Sequence, residues 1–136
     1  MASSEEHNFS CHLTRRYSLP ALHKLSGHCE ELHGHEYSVE VTYSGAIDEV
    51  SGLCLKREIL DDLVQEKILS AFYGKNLNEL LPSTAGEFLA REFLRRLRGD
   101  SRGKNIQGLA LQETKKNRFI AKATDLLKPT EKPTYK

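Results

Sequence analysis

Several things this chain has little of narrow the field before any motif is read. It lacks a charge excess, with 20 Lys+Arg against 19 Asp+Glu over 136 residues. A balance of that kind gives no general pull toward nucleic acid or a membrane surface. It has no apolar run long enough to span a bilayer. Its first residues, Met1-Ala2-Ser3-Ser4-Glu5-Glu6, have neither the basic start nor the apolar core of a secretory signal. Its three cysteines, Cys11, Cys29 and Cys54, are an odd number without disulfide-framework spacing. A cytoplasmic, reducing location is the expectation. No repeat recurs at solenoid periods, and proline is concentrated only in the tail, Pro129 and Pro133 among lysines. The expected organisation is one domain over residues 1–126 and a weakly ordered tail over 127–136.

What is present begins with His33-Gly34-His35, four residues after Cys29. It opens a stretch in which Tyr37, Val39, Val41 and Tyr43 alternate with Ser38, Glu40, Thr42 and Ser44, the signature of a half-buried strand. Side chains at i and i+2 of a strand share a face, so His33 and His35 aim two imidazoles at one point on the core side. An earlier extended stretch, residues 11–19, has Pro20 near its end, which suits a strand margin. A turn-rich segment over 24–32 is expected between the two strands.

Leu55, Ile59, Leu60, Leu63, Val64, Ile68 and Phe72 recur at helical spacing, with Gly74 placed to end the helix. A second helix is predicted over 85–98, where Thr84 and Glu87 have capping-box spacing and Gly99 follows. The arginines Arg91, Arg95, Arg96 and Arg98 on it read as a solvated face. Two closing strands follow, the first with Leu109, Leu111 and Glu113 on one face, the second with Phe119, Ala121 and Ala123 on one face. The order ββααββ implies an α+β fold, a four-stranded antiparallel sheet with two helices on one side.

Two imidazoles need a third ligand. His23, at the close of the first strand, comes beside the pair if the two strands associate. Three histidines with an open position is a catalytic zinc pattern, and the alternative is a structural or surface histidine pair. Cys29 fits a base or nucleophile, a fourth ligand that closes the site, or a small buried hydrophobe. Glu113 shares the parity of Leu109 and Leu111. It therefore needs either a partner with N–H donors or an outlet to water at the strand end.

These residues resemble the 6-pyruvoyltetrahydropterin synthase family. The stretch from Arg15 to Leu25 is similar to its F-S-A-x-H-R-L strand. Gly27 to Tyr37 resembles its C-x-x-x-H-G-H-N-Y signature, in a spacing closer to the 6-carboxytetrahydropterin synthase branch of queuosine biosynthesis. Lys75-Asn76-Leu77-Asn78, Leu81 to Ala90 and Gln112-Glu113-Thr114 resemble its K-N-L-N, P-T-x-E-N-x-A and E-T segments, in the same order.

The resemblance implies the tunnelling fold, assembled as trimers or hexamers with sites between subunits. It implies Zn2+ on His23, His33 and His35, Cys29 as proton acceptor, Glu113 anchoring a pterin, and Thr84 and Glu87 near that pterin. Its substrate class is 7,8-dihydroneopterin triphosphate and related pterins; no nucleic acid or membrane partner is implied. Four positions depart from the pattern. Tyr73-Gly74 stand where the family carries an Asp-His relay, Lys56 replaces an Asp, and Glu36 replaces an Asn. The preserved ligands suit either a lyase with a substitute relay, for which His28 and His12 are candidates, or a zinc- and pterin-binding homologue without the standard activity.

Overall fold

The computed structural model describes residues 10–25 and 29–126, without the side chains of Leu25, Cys29 and Glu30. The expected tail, and His28, lie outside the described residues. Four strands form one antiparallel sheet in the order β1 (Ser10–Leu25), β2 (Cys29–Ala46), β3 (Ile106–Gln112), β4 (Arg118–Lys122). The hairpin of β1 and β2 is much the longest pairing, running from Ser10↔Ala46 to Leu25↔Cys29. The turn-rich segment expected over 24–32 is thus mostly strand.

Odd-numbered residues of β1 and β2 face the helices. Leu19, Ala21, Tyr37, Val39, Val41 and Tyr43 are all buried there, with Leu109 and Leu111 of β3 beside them. A register shift between Thr42 and Tyr43 brings Ile106 onto the same side. The opposite face is polar, and on it Glu40 pairs with Arg16 at 3.1 Å and Arg118 at 2.7 Å.

Pro20 does not end β1. The strand continues five residues beyond it. This is tolerated because β1 is an edge strand and the missing N–H faces outward. The outward groups there are met by the chain after the first helix, Gly74 N–H donating to Pro20 O at 2.6 Å and Leu22 N–H to Lys75 O at 2.9 Å. Gly74 has φ of +70°, a left-handed turn that suits glycine.

The first helix, α1 (Arg57–Val64), passes through a π-helical stretch (Gln65–Leu69) into a last α turn (Ser70–Phe72). Beside the buried Leu63, its buried residues Leu60, Val64, Ile68 and Phe72 recur every four positions. An α-helix has 3.6 residues per turn, so each such step drifts about 40° around the axis. The wider i→i+5 turn absorbs the drift and keeps Ile68 and Phe72 aimed at the sheet. Ile59, expected inside, is 36 % exposed. Arg15 of β1 forks onto Asp61 at 2.8 and 2.9 Å, and Tyr17 donates to the same carboxylate at 2.7 Å, fixing α1 over the sheet edge.

The second helix, α2 (Gly86–Arg98), packs against β3 and β4 and buries Leu89, Phe93, Leu94 and Leu97, with the Phe93 ring 5.3 Å from that of Phe72 at the end of the first helix. A side chain on Gly86 would collide with the Phe119 ring of β4. The capping box expected from Thr84 and Glu87 does not form. The N-cap is Ala85, with no side-chain cap bond, and Thr84 is buried beneath the sheet end instead. The arginines are also less free than expected. Arg95 and Arg96 both hold the nearly buried Glu92, and Arg98 donates to the Lys104 and Ile106 carbonyls. A short helix, α3 (Ala123–Leu126), takes up Ala123, which was expected to extend β4. No helix among the described residues is long and apolar enough to cross a membrane.

Candidate metal centre

Hairpin register places His23 directly opposite His33, and Ala21 opposite His35. Cross-strand partners share a face, so three imidazoles gather at one end of the sheet. Their ring centroids lie 4.6, 4.8 and 4.7 Å apart, and one ligand nitrogen from each falls within 4.8 Å of the others. His23 is fully buried; His33 and His35 are partly so.

The outward nitrogens are fixed by backbone carbonyls. His23 Nδ1 faces Thr84 O at 3.3 Å, and His33 Nδ1 faces Glu31 O at 3.1 Å. A carbonyl can only accept, so each Nδ1 carries the proton and each Nε2 keeps its lone pair. Nε2 of His23 and Nε2 of His35 are buried with no hydrogen-bond partner among the described residues. Burial pushes both imidazoles below the ordinary 6.5, which favours the neutral, ligating form. Unpaired buried nitrogens are costly, and a bound cation would satisfy them. The donor set therefore fits a zinc-type ion, with three imidazole ligands and backbone carbonyls holding the tautomers of His23 and His33.

Glu113 stands just past β3, its N–H donating to Asn117 O at 3.1 Å. Its carboxylate is 12 % exposed and lies 3.8 Å from His35 Nε2. That is too long for a hydrogen bond, so its acceptor oxygens are available to a ligand with N–H groups. The Thr84 hydroxyl donates to Lys24 O at 3.4 Å beside His23. Glu87 is exposed on the first turn of α2. It lines a groove of about 400 Å³ with Arg91, Arg118 and Phe119, and makes no hydrogen bond to the histidines. The Cys29 side chain lies outside the described residues; its backbone starts β2.

Two supporting residues, each inside a segment that resembles the family, have no place among the site residues expected from sequence. Asn78 clamps Lys24 on both sides, accepting from its N–H at 2.8 Å and donating to its carbonyl at 3.0 Å, which anchors the chain next to His23. Tyr37 continues the His33, His35 parity. Its hydroxyl reaches 3.3 Å from His23 Nδ1, and burial together with Glu113 pushes its phenol well above its usual range. Its shared parity with His33 and His35 is the sequence signal for this contact. His12 lies at the far end of β1 from His23, eleven residues or roughly 36 Å along an extended strand, so it has no part in its own subunit's cluster. Tyr73 is 59 % exposed, and a side chain on Gly74 would meet nothing within 4 Å.

A family model described as 6-pyruvoyl tetrahydropterin synthase matches residues 4–124. Among curated proteins, the 6-pyruvoyl tetrahydrobiopterin synthase of Dictyostelium discoideum is 32 % identical over 71 residues, 52 % of this chain and 53 % of that protein. The Drosophila melanogaster protein of that name is 32 % identical over 82 residues, 49 % of each chain. This chain thus aligns with about half the length of the curated relatives it matches. Among solved structures, the Caenorhabditis elegans 6-pyruvoyl tetrahydropterin synthase superposes with a TM-score of 0.77 at 22 % identity, covering 83 % of this chain and 95 % of that one. The Plasmodium falciparum protein gives 0.59 at 17 % identity, covering 84 % and 98 %. These likenesses agree with an α+β tunnelling fold.

Proposed function

This chain belongs to the 6-pyruvoyl tetrahydropterin synthase family, and from that premise we propose that it is a zinc-dependent carbon–oxygen lyase acting on 7,8-dihydroneopterin triphosphate or a related pterin. The observation that carries the reading is the pair of buried, unpartnered Nε2 atoms converging with His33 beside the Glu113 carboxylate. His23, His33 and His35 would hold the ion. Zinc in such a site supplies Lewis acidity toward a substrate oxygen.

The chain's own residues would do the rest. Glu113 would accept N–H bonds from the amino-pyrimidine edge of the pterin and so fix the ring. The buried surround of Tyr37 and His23 would exclude water from one side. Cys29 would act as proton acceptor, with Thr84 and Glu87 near the pterin. A trimer or hexamer with sites between subunits belongs to the proposal, as does a cytoplasmic location. The names of the curated relatives favour the pyruvoyl product over the carboxy product.

A second reading, a zinc- and pterin-binding protein without turnover, rests on Tyr73-Gly74. The glycine has no proton to transfer, and the phenol points largely into solvent. Incubation of the zinc-loaded protein with 7,8-dihydroneopterin triphosphate, followed by chromatography, separates the two. Product above a Cys29→Ala control supports the lyase. No product, with pterin binding that disappears in Glu113→Ala, supports the binder. Unchanged zinc content in His33→Ala would remove the ligand set from both.

A further inference from the structure

We infer that Cys11 and Cys54, far from the histidine cluster, form a dithiol site that closes to an intramolecular disulfide by exchange with a small disulfide such as oxidised glutathione. Register pairs Cys11 with Gly45. Directly opposed residues of antiparallel strands project to the same face. That face is the helix side, shared with Leu13 and with Arg15, which reaches Asp61 on α1. Gly45 has no side chain, and a Cβ placed there would lie 2.9 Å from the Tyr43 ring and 3.2 Å from the Cys54 carbonyl oxygen. The backbone of Cys54, together with the edge of the Tyr43 ring, therefore occupies the space beside Cys11 that a residue-45 side chain would have taken. Both cysteines line one hollow of about 230 Å³, walled by Leu13, Leu53 and Leu55. Neither is in a disulfide; Cys11 is exposed and Cys54 partly buried against the core.

Exposure sets the order of events, because thiol exchange needs access to the attacking sulfur. The Cys11 thiolate attacks the S–S bond of oxidised glutathione, forming a mixed disulfide and releasing one glutathione thiolate. The Cys54 thiolate then attacks the Cys11 sulfur and expels the second. Two protein thiols are oxidised, one glutathione disulfide is reduced to two thiols, and the two protein protons pass to the two leaving thiolates. The product ties the start of edge strand β1 to the connection between β2 and α1, enclosing residues 12–53.

The test is titration of the reduced full-length protein, dilute, with oxidised glutathione, followed by alkylation and intact mass. The expected product takes up one alkyl group where the reduced protein takes up three, carries no glutathione, and is monomeric on a non-reducing gel. Trypsin with a glutamate-specific protease places the three cysteines in separate peptides, 7–15, 25–30 and 50–56. The first and last should be joined. The oxidised form should melt several degrees higher, since closing a long loop restricts the unfolded chain. Cys54→Ser and Cys54→Ala should both stop at a glutathione adduct on Cys11, and Cys11→Ser, at an exposed position, should form no internal disulfide. A stable glutathione adduct on wild-type Cys11 with Cys54 free, a link to peptide 25–30, or a disulfide dimer would each overturn the inference.

Discussion

A His23→Leu variant, unfolded by heat once in chelator and once with added zinc, tests what the histidine cluster is built for. In chelator the substitution removes a buried Nε2 that has no partner, a relief of about 1–3 kcal/mol. It also strips Thr84 O and the buried Tyr37 hydroxyl of their contacts with Nδ1, both at 3.3 Å, a loss of about 1–2 kcal/mol, and the change of side-chain shape costs under about 1.5 kcal/mol. These contributions largely offset, so the metal-free variant should lie within about 2.5 kcal/mol of the wild type. For a domain of this length that is less than about 9 °C in Tm. With zinc at a hundred times its Kd, the wild type gains about 2.7 kcal/mol. That is on the order of 9 °C in Tm, and the variant should gain nothing. A loss above about 3 kcal/mol in chelator would refute the argument, because the imidazole would then be supporting the fold by itself. A zinc-dependent shift retained by the variant would refute the ligand assignment.

Acid should destabilise the metal-free protein early. Burial holds His23 and His35 below 6.5 in the fold, so the unfolded chain binds more protons as pH falls through 6.5. Their contribution is complete above that value and declines toward the lower folded pKa; urea midpoints from neutral pH downward should show it, and His23→Leu should reduce the slope. Gly86→Ala and Gly103→Ala should differ in severity. The first meets a ring, Phe119, near the sheet edge, whereas the second overlaps the Leu97 backbone carbonyl far inside van der Waals contact. Urea unfolding should give about 1–2 kcal/mol for the first and more than about 3 for the second. Under the lyase reading, Tyr73→Asp with Gly74→His should raise product formation by about 10²-fold or more in the chromatographic assay. It should also lower stability by about 1 kcal/mol, because position 74 has a left-handed backbone; an unchanged rate would show that a relay at these positions does not limit turnover.

The strand carrying the histidines was the most legible part of the chain. Tyr37, Val39, Val41 and Tyr43 alternate without interruption, and parity alone put His33 and His35 on the core side. What defeated local reading was tertiary competition for single residues. Thr84 has the spacing of an N-cap, but it lies under the hairpin end, where its carbonyl meets His23 and its hydroxyl meets Lys24. Pro20 looked like a terminus because proline removes a ladder donor. Only the sheet order shows that this donor would have faced outward. Asn78 acts on Lys24 across 54 residues of sequence, a contact no local pattern contains. The four arginines of α2 spread over a helix surface on paper, yet a buried carboxylate and two carbonyls occupy three of them.

The π-helical stretch after α1 has a consequence for chain length. Gln65 is exposed, and it sits where the helix holds one residue more than an α-helix needs. Deleting it would change the inward spacing from four-four-four to four-three-four, which is the rhythm of an ordinary α-helix, so Leu60, Val64, Ile68 and Phe72 would still face the sheet. The same deletion within α2, between Leu89 and Phe93, would swing everything after it by about 100° and expose the core face. The first helix thus contains a spare position at which homologous chains can differ by one residue without repacking, and the second helix has none.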